Sequence, residues 1–300
     1  MQLVFATRPS ALARWQTNWV IGRLKAAWPD LVCEQKIITT QGDRILDRAL
    51  PEIGGKGLFT QELEAELLSG KVDAAVHSLK DLPIENPEGI LLGAVPARED
   101  VHDGMVSALG YTLETLPEGA VVGTSSLRRA AQVLARRADV EIKPLRGNVD
   151  TRVRKAMQEQ YDAIVLAGAG LRRLGLDSHV TQWLTLDVML PAPGQGALAV
   201  QCRATDVEVL RILSAIEDAP TRLATGAERA FLGGLGGGCS LPVAAYASLK
   251  DNHIEMSALA AAVDGKEVIR VHGVGDDPQE LGVNLANTAL AQGAGEFLHV

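Results

Sequence analysis

Through the first two-thirds of the chain, short apolar runs alternate with segments whose apolar positions recur at helical spacing. "LVFAT" (3–7), "DAAVHS" (73–78), "AVVGTS" (120–125) and "YDAIVLA" (161–167) have the continuous apolar character of strands buried on both faces. "CEQKIITT" (33–40), "ILLGAVP" (90–96) and "VEIKPL" (140–145) read as further strands. Between them, a helix is predicted from Ala11 to Trp28 with Ser10 as its N-cap and with Trp15 and Trp19 on one face. "LFTQELEAELLSG" (58–70), "SLRRAAQVLARR" (126–137) and "NVDTRVRKAMQEQ" (148–160) are amphipathic helices, and "GAGLRRLGL" opens a short one. Strand–helix alternation of this kind predicts parallel or mixed sheets covered by helices on both faces.

The pattern changes at "LPAPGQGALAVQCR" (190–203), where prolines and glycines precede a new strand. Beyond it, a helix from Thr221 to Leu232 leads into "GGLGGGCSLP" (233–242). Three strand-like segments joined by short turns follow ("VAAYASLK", "HIEMSALAAAV", "KEVIRVHG"), and a helix over 277–293 comes last. That is the pattern of a small α+β domain with a three-stranded antiparallel sheet.

Composition bounds the rest. With 300 residues, two or three domains are expected. Aromatics make up 4% of the chain, so the cores must be aliphatic and alanine-rich. A formal net charge of −8 argues against sequence-independent nucleic-acid binding. Three widely spaced cysteines, Cys33, Cys202 and Cys239, give neither a disulfide framework nor a metal motif, and the six histidines are scattered, so no metal is expected. No apolar run reaches the length of a membrane span, and "MQLVFATRPS" is not a secretory signal, so the expected compartment is the cytoplasm.

Within this acidic chain, cations recur at strand ends. Arg8, Lys80, Arg128, Arg129, Arg146 and Arg173 each follow a strand, Arg152 lies in the first turn of the next helix, and Lys56 lies in "GGKG". Ser10, Ser78, Thr124, Ser125 and Ser126 stand among them. Ligands of open α/β sheets bind beyond the carboxyl ends of the strands, where helix N-termini favour anions. Surface ion pairs are the alternative for any single arginine; the set as a whole points to a ligand with several anionic groups. Nucleotide motifs fail: Gly57 follows the lysine of "GGKG", and Arg173 stands where "GAGLRR" would need a third glycine. Asp81, just past a buried strand and beside Lys80, is either a turn residue or a carboxylate facing the ligand, ionised and suited to a developing positive charge. His77 reads as a satisfied core histidine, and Cys33 and Cys202 as core thiols. Cys239, crowded by glycines in a loop after a helix, is either a free loop cysteine of no consequence or, as the glycine crowding favours, a reactive or modified thiol.

The motifs "ATRPSALA", "GGKGLFTQELE", "AVHSLKDLP", "REDVHDG", "VVGTSSLRR", "LRGNVDTR", "DAIVLAGAGLRRLG", "LPAPGQGALAVQCR" and "GGGCSLPVAAYA" stand in the order found in the porphobilinogen deaminase (hydroxymethylbilane synthase) family, which the chain resembles from Leu3 to Tyr246. The resemblance implies two lobes like those of type II periplasmic binding proteins, with mixed doubly wound sheets and the active cleft between them, plus the C-terminal α+β domain. The expected division is 1–97 with 195–215, 98–194, and 216–300. It also implies a transferase that condenses four porphobilinogen molecules head to tail, with loss of ammonia, into hydroxymethylbilane. The chain would grow on a dipyrromethane cofactor joined to Cys239 by a thioether. By motif position, Asp81, Lys56 and Arg8 would be catalytic. Lys80, Ser78, Thr124, Ser125, Ser126, Arg128, Arg129, Arg146 and Gly147 would hold the cofactor. Arg8, Ser10, Phe59, Arg146, Arg152, Ala169, Arg173 and Gln195 would bind substrate. The resemblance further implies a monomer, with no nucleic-acid or membrane partner. A non-catalytic anion receptor or regulator domain of the same fold is the alternative. Family members commonly carry an acidic residue before "GGC", where Gly236 stands here.

Overall fold

The computed structural model describes residues 2–44, 57–237 and 241–298. Their contacts form two compact units. The first takes the described residues of Met1–Asp47, Gly55–Glu99 and Ala197–Arg222, the second those of Asp100–Gly196 and Leu223–Val300.

The first unit is built on a five-stranded sheet of β1 (Gln2–Thr7), β2 (Val32–Ile37), β3 (Ala74–Ser78), β4 (Ile90–Ala94) and β10 (Leu198–Arg203), in the order β2-β1-β3-β10-β4. β1 pairs in parallel with β2 and β3, whereas β10 is antiparallel to both of its neighbours. Alternate residues of β1 serve opposite cores. Leu3 and Phe5 pack with Val20 and Leu24 of helix α1 (Ala11–Ala27), while Ala6 packs with Leu63 and Leu67 of α3 (Gln61–Leu68). Burial on both faces is why β1 lacks a polar alternation, and each large aliphatic so buried contributes about 1.5–3 kcal/mol.

The second unit repeats the scheme with β5 (Asp103–Val106), β6 (Val121–Gly123), β7 (Glu141–Lys143), β8 (Ala163–Ala167) and β9 (Val180–Leu184), in the order β7-β6-β8-β5-β9. Here β5 is the antiparallel member. The sequence pattern did not mark β5 or β9. β5 is four residues of "DGMV" in a polar context, and β9 is an edge strand with mostly half-exposed side chains.

The same unit carries the meander β11 (Val243–Lys250), β12 (His253–Ala261) and β13 (Val268–Gly275), antiparallel throughout. Met256, Ala258 and Ala260 pack beneath helices α8 (Ala219–Gly234) and α9 (Pro278–Ala291). Leu259 and Ala261 face the other way, onto Ala131 and Leu190. Small residues let these layers approach closely: a Cβ on Gly234 would lie 2.5 Å from the Cβ of Ala286.

Part of the glycine run therefore belongs to α8, and part ends it. Gly237 N–H donates to the Leu232 carbonyl at 2.9 Å and Gly236 N–H to the Gly233 carbonyl at 3.1 Å, the paired bonds of a Schellman cap. Gly236 occupies the left-handed position of that cap with φ +90°. Only glycine adopts this conformation at little cost, which accounts for the residue at 236. Gly236→Ala is expected to cost about 1–2 kcal/mol in denaturant unfolding, and a change near zero would contradict this cap. Cys239, three residues on, lies outside the described residues, as does Lys56.

Candidate active site

In the first unit, the carboxyl ends of β1 and β3 meet at an open recess lined by Arg8, Ser10, Phe59, His77, Ser78 and Asp81. Ser10 caps α1 by accepting from Ala13 N–H at 3.2 Å, so its own O–H proton is left for a ligand. Ser78 is oriented by Gln16, a buried residue of α1 that donates to its Oγ at 2.9 Å. A short 3₁₀ turn, Leu79–Asp81, carries Lys80 and the exposed Asp81 away from the strand.

Arg8 is clamped. Its Nε and Nη2 donate to Asp43 at 3.2 and 2.5 Å, and the Phe59 ring lies 4.2 Å from its guanidinium carbon. Phe59 in turn rests on Gly42, where a Cβ would come within 2.1 Å of the ring. Burial alone would raise the Asp43 carboxyl. Hydrogen bonds and charge from Arg8, with Thr40 behind it, hold it below the ordinary carboxylate range. Sequence reasoning missed Asp43 and Gln16, since neither stands at a strand end.

His77 is in the core as expected, but its Nε2 is buried with no hydrogen-bond partner among the described residues. It is therefore incompletely satisfied. Burial lowers its pKa to about 4, with the Arg8 charge adding to this and Gln201 opposing it. The unfolded chain takes up this proton near pH 6.5, the folded unit only near pH 4. Stability is thus lost as pH falls through that window, by about 3 kcal/mol at its foot. His77→Asn is expected to flatten the loss, measured as unfolding free energy at pH 7 and pH 4.5; an unchanged loss would contradict it.

In the second unit, Thr124, Ser125 and Ser126 lead from β6 into α4 (Leu127–Arg136). Thr124 Oγ1 accepts from Ser126 N–H, and Ser126 Oγ caps the helix at Arg129 N–H, so both keep a proton to donate. Ser125 instead donates to the Leu145 carbonyl and accepts from Leu145 N–H, joining the loops after β6 and β7. Arg146 and Gly147 follow β7, and Arg152 Nε reaches back to the Gly147 carbonyl at 2.7 Å. Ala169 and Arg173 lie on α6 (Gly168–Arg173), where Arg173 donates to the Gly196 carbonyl at 2.7 Å.

Arg128 and Arg129 are not at the surface: they are 4% and 6% exposed. Both pair with Asp103, which is fully buried, at 2.8 Å. Gln195, also fully buried, donates to Asp103 at 3.0 Å and to the Val101 carbonyl at 2.8 Å. Burial pulls the Arg128 guanidinium below its ordinary range; the Asp103 charge opposes this and the Arg129 charge adds to it. Asp103 escaped sequence reasoning because it begins a strand. β5 runs antiparallel, so its first residue sits opposite Ala167, the last of β8, at the edge where the parallel strands end. A further buried carboxylate, Glu228 of α8, accepts from Gly194 N–H at 2.7 Å and Ala247 N–H at 2.8 Å, fixing the helix that precedes Cys239.

Cys202 is buried, and desolvation pushes its thiol up to about 11, an inert core group. Among the described residues no cluster of His, Cys, Asp or Glu could hold a metal ion, and no helix is long and apolar enough to cross a membrane.

Two mixed α/β sheets with basic and hydroxyl side chains at their strand ends, together with a three-stranded antiparallel sheet, define a protein of the α/β class. Two solved structures are similar in fold. The BenM effector binding domain with its effector benzoate is 11% identical, covers 72% of this chain and 91% of its own, and has a TM-score of 0.42. The methionine binding protein MetQ is 12% identical, with 73% and 91% covered and a TM-score of 0.42. The family model "Porphobilinogen deaminase, dipyromethane cofactor binding domain" matches residues 3–211, and "Porphobilinogen deaminase, C-terminal domain" matches 223–291. A porphobilinogen deaminase of Brevibacillus brevis is 50% identical over 97% of this chain and 95% of its own; one from a Geobacillus species is 48% identical over 98% and 95%. The chain belongs to the porphobilinogen deaminase family.

Proposed function

We propose that the chain condenses four porphobilinogen molecules into hydroxymethylbilane, with Asp81 as the catalytic carboxylate. The observation that carries this reading is an exposed carboxylate in a recess otherwise furnished with Arg8, Ser10 and Ser78. A receptor for anions gains nothing from a carboxylate there, which sets catalysis above a receptor role.

The donor set fits a dipyrromethane, whose rings carry carboxylate side chains. Arg128 Nε is buried without a hydrogen-bond partner among the described residues, and the Ser126 and Thr124 hydroxyls have protons to give. Lys80, Ser78, Ser125, Arg129, Arg146 and Gly147 complete the proposed holding set, with attachment at Cys239. When bound, the cofactor supplies the nucleophilic pyrrole carbon from which the product grows.

Arg8, Ser10, Phe59, Arg146, Arg152, Ala169, Arg173 and Gln195 are proposed to bind and orient porphobilinogen, the cations through its acetate and propionate. Asp81 accepts the pyrrole N–H. As the carbon–nitrogen bond breaks and its electron pair leaves with ammonia, the ring becomes an azafulvene cation. The Asp81 charge stabilises it where that charge appears. Formation of the new carbon–carbon bond neutralises the ring system once the displaced hydrogen leaves as a proton. Lys56 and Arg8 are assigned catalytic roles beside Asp81 by their motif positions, Lys56 lying outside the described residues.

The functional domains are taken as 1–97 with 195–215, 98–194, and 216–300, each built around one of the three sheets. Thioether formation needs a reduced thiol, which suits the cytoplasm. The net charge of −8 gives no support to a nucleic-acid or membrane partner, and the exposed large hydrophobics, such as Val32, Leu109 and Val207, come from different elements, which favours a monomer. Incubation with porphobilinogen should release one ammonia for each molecule consumed and yield a linear tetrapyrrole; binding without consumption would contradict the assignment.

A further inference from the structure

We propose that Asp103 is a positioning residue for the cofactor: a built-in carboxylate that holds Arg128 and Arg129 together in the apo protein and fixes how much anionic charge their pocket accepts. The proposal rests on the assignment of those arginines to the cofactor.

The observation is a fully buried carboxylate between two buried guanidiniums. Each of the three Arg129 nitrogens donates to the protein: Nε and Nη2 to Asp103, Nη1 to the Val165 carbonyl. Arg128 gives Nη1 to the Leu190 carbonyl at 2.6 Å, and the Gln132 side-chain amide fixes Leu190 through both its N–H and its carbonyl. Its Nε is buried with no hydrogen-bond partner among the described residues. The three charges sum to +1, because one carboxylate faces two guanidiniums. Two unscreened guanidiniums in a buried site would repel, and burial strengthens the repulsion. With Asp103 in place, one net positive charge remains on the three groups, beside the unpartnered Nε of Arg128, a match for one incoming carboxylate. Without it, the pocket carries +2, and the apo protein bears the strain until cofactor carboxylates arrive.

This separates a charge-balancing role from a merely structural one. Thermal unfolding is measured on full-length wild type and Asp103→Asn, each as apo and cofactor-loaded protein, with loading read from intact mass. The apo variant should melt on the order of 10 °C below apo wild type, and loading should recover more than half of that deficit. Equal deficits in the two forms would overturn the proposal. The double variant Asp103→Asn/Arg129→Gln, in which the pocket returns to +1, should melt above the single variant as apo protein and accumulate folded even if the single variant does not. A double variant no more stable than the single one would also overturn the proposal. A wild type that never gains the mass increment would refute the cofactor assignment instead; the comparison of apo single and double variants would still decide the charge-balancing role.

Discussion

Asp81→Ala is expected to leave the fold intact and reduce turnover of porphobilinogen by about 100- to 1000-fold, the cost of removing one preorganised stabiliser of transition-state charge. The fold should survive because Asp81 is exposed, in a 3₁₀ turn that follows β3 rather than within the sheet. The loss should fall on kcat rather than on KM, since a carboxylate contributes little to binding a substrate that is itself anionic. Asp81→Asn should lose a similar amount, because the amide keeps the shape and a hydrogen-bond acceptor but not the charge. Turnover within a few-fold of wild type in either variant would remove Asp81 from the mechanism.

Arg128→Leu is expected to affect cofactor retention before it affects chemistry. The substitution removes a buried donor, Arg128 Nε, that has no partner among the described residues, and it removes the Arg128 half of the ion pairing at Asp103. Truncating one partner of a buried, hydrogen-bonded ion pair costs about 3–5 kcal/mol, and a lost charged hydrogen bond to the cofactor adds to that. The purified variant should therefore be largely apo by intact mass and melt well below wild type. A fully loaded variant would place the cofactor carboxylates elsewhere.

Much of this was legible in the sequence, and the limits have physical causes. Strands buried on both faces, such as β1 and β3, are uninterrupted apolar runs, so the helix-covered sheets could be read directly. The cations at strand ends were visible because parallel strands deliver their next residues to one edge. What could not be read was which of those cations are already paired. Arg8 is matched by Asp43 from a short helix distant in sequence, and Arg128 and Arg129 by Asp103 from an antiparallel strand. An antiparallel strand contributes its first residue, not its last, to that edge, so a search of strand ends passes over it. The motif "REDVHDG" held the signal, an aspartate beginning a short apolar run, with no local pattern to mark it as buried. In the sequence, the glycine run marks Cys239 as a thiol in a loop after a helix. In the structure Gly234 serves helix packing and Gly236 ends the helix, before the cysteine is reached.

The central claim is that this chain builds its product on a dipyrromethane held by Cys239. The most direct test is the intact mass of the purified wild-type protein beside Cys239→Ala. The account predicts a wild-type mass above that of the bare chain by one dipyrromethane, and no increment in the variant. A wild type that turns over porphobilinogen at the mass of the bare chain would contradict it.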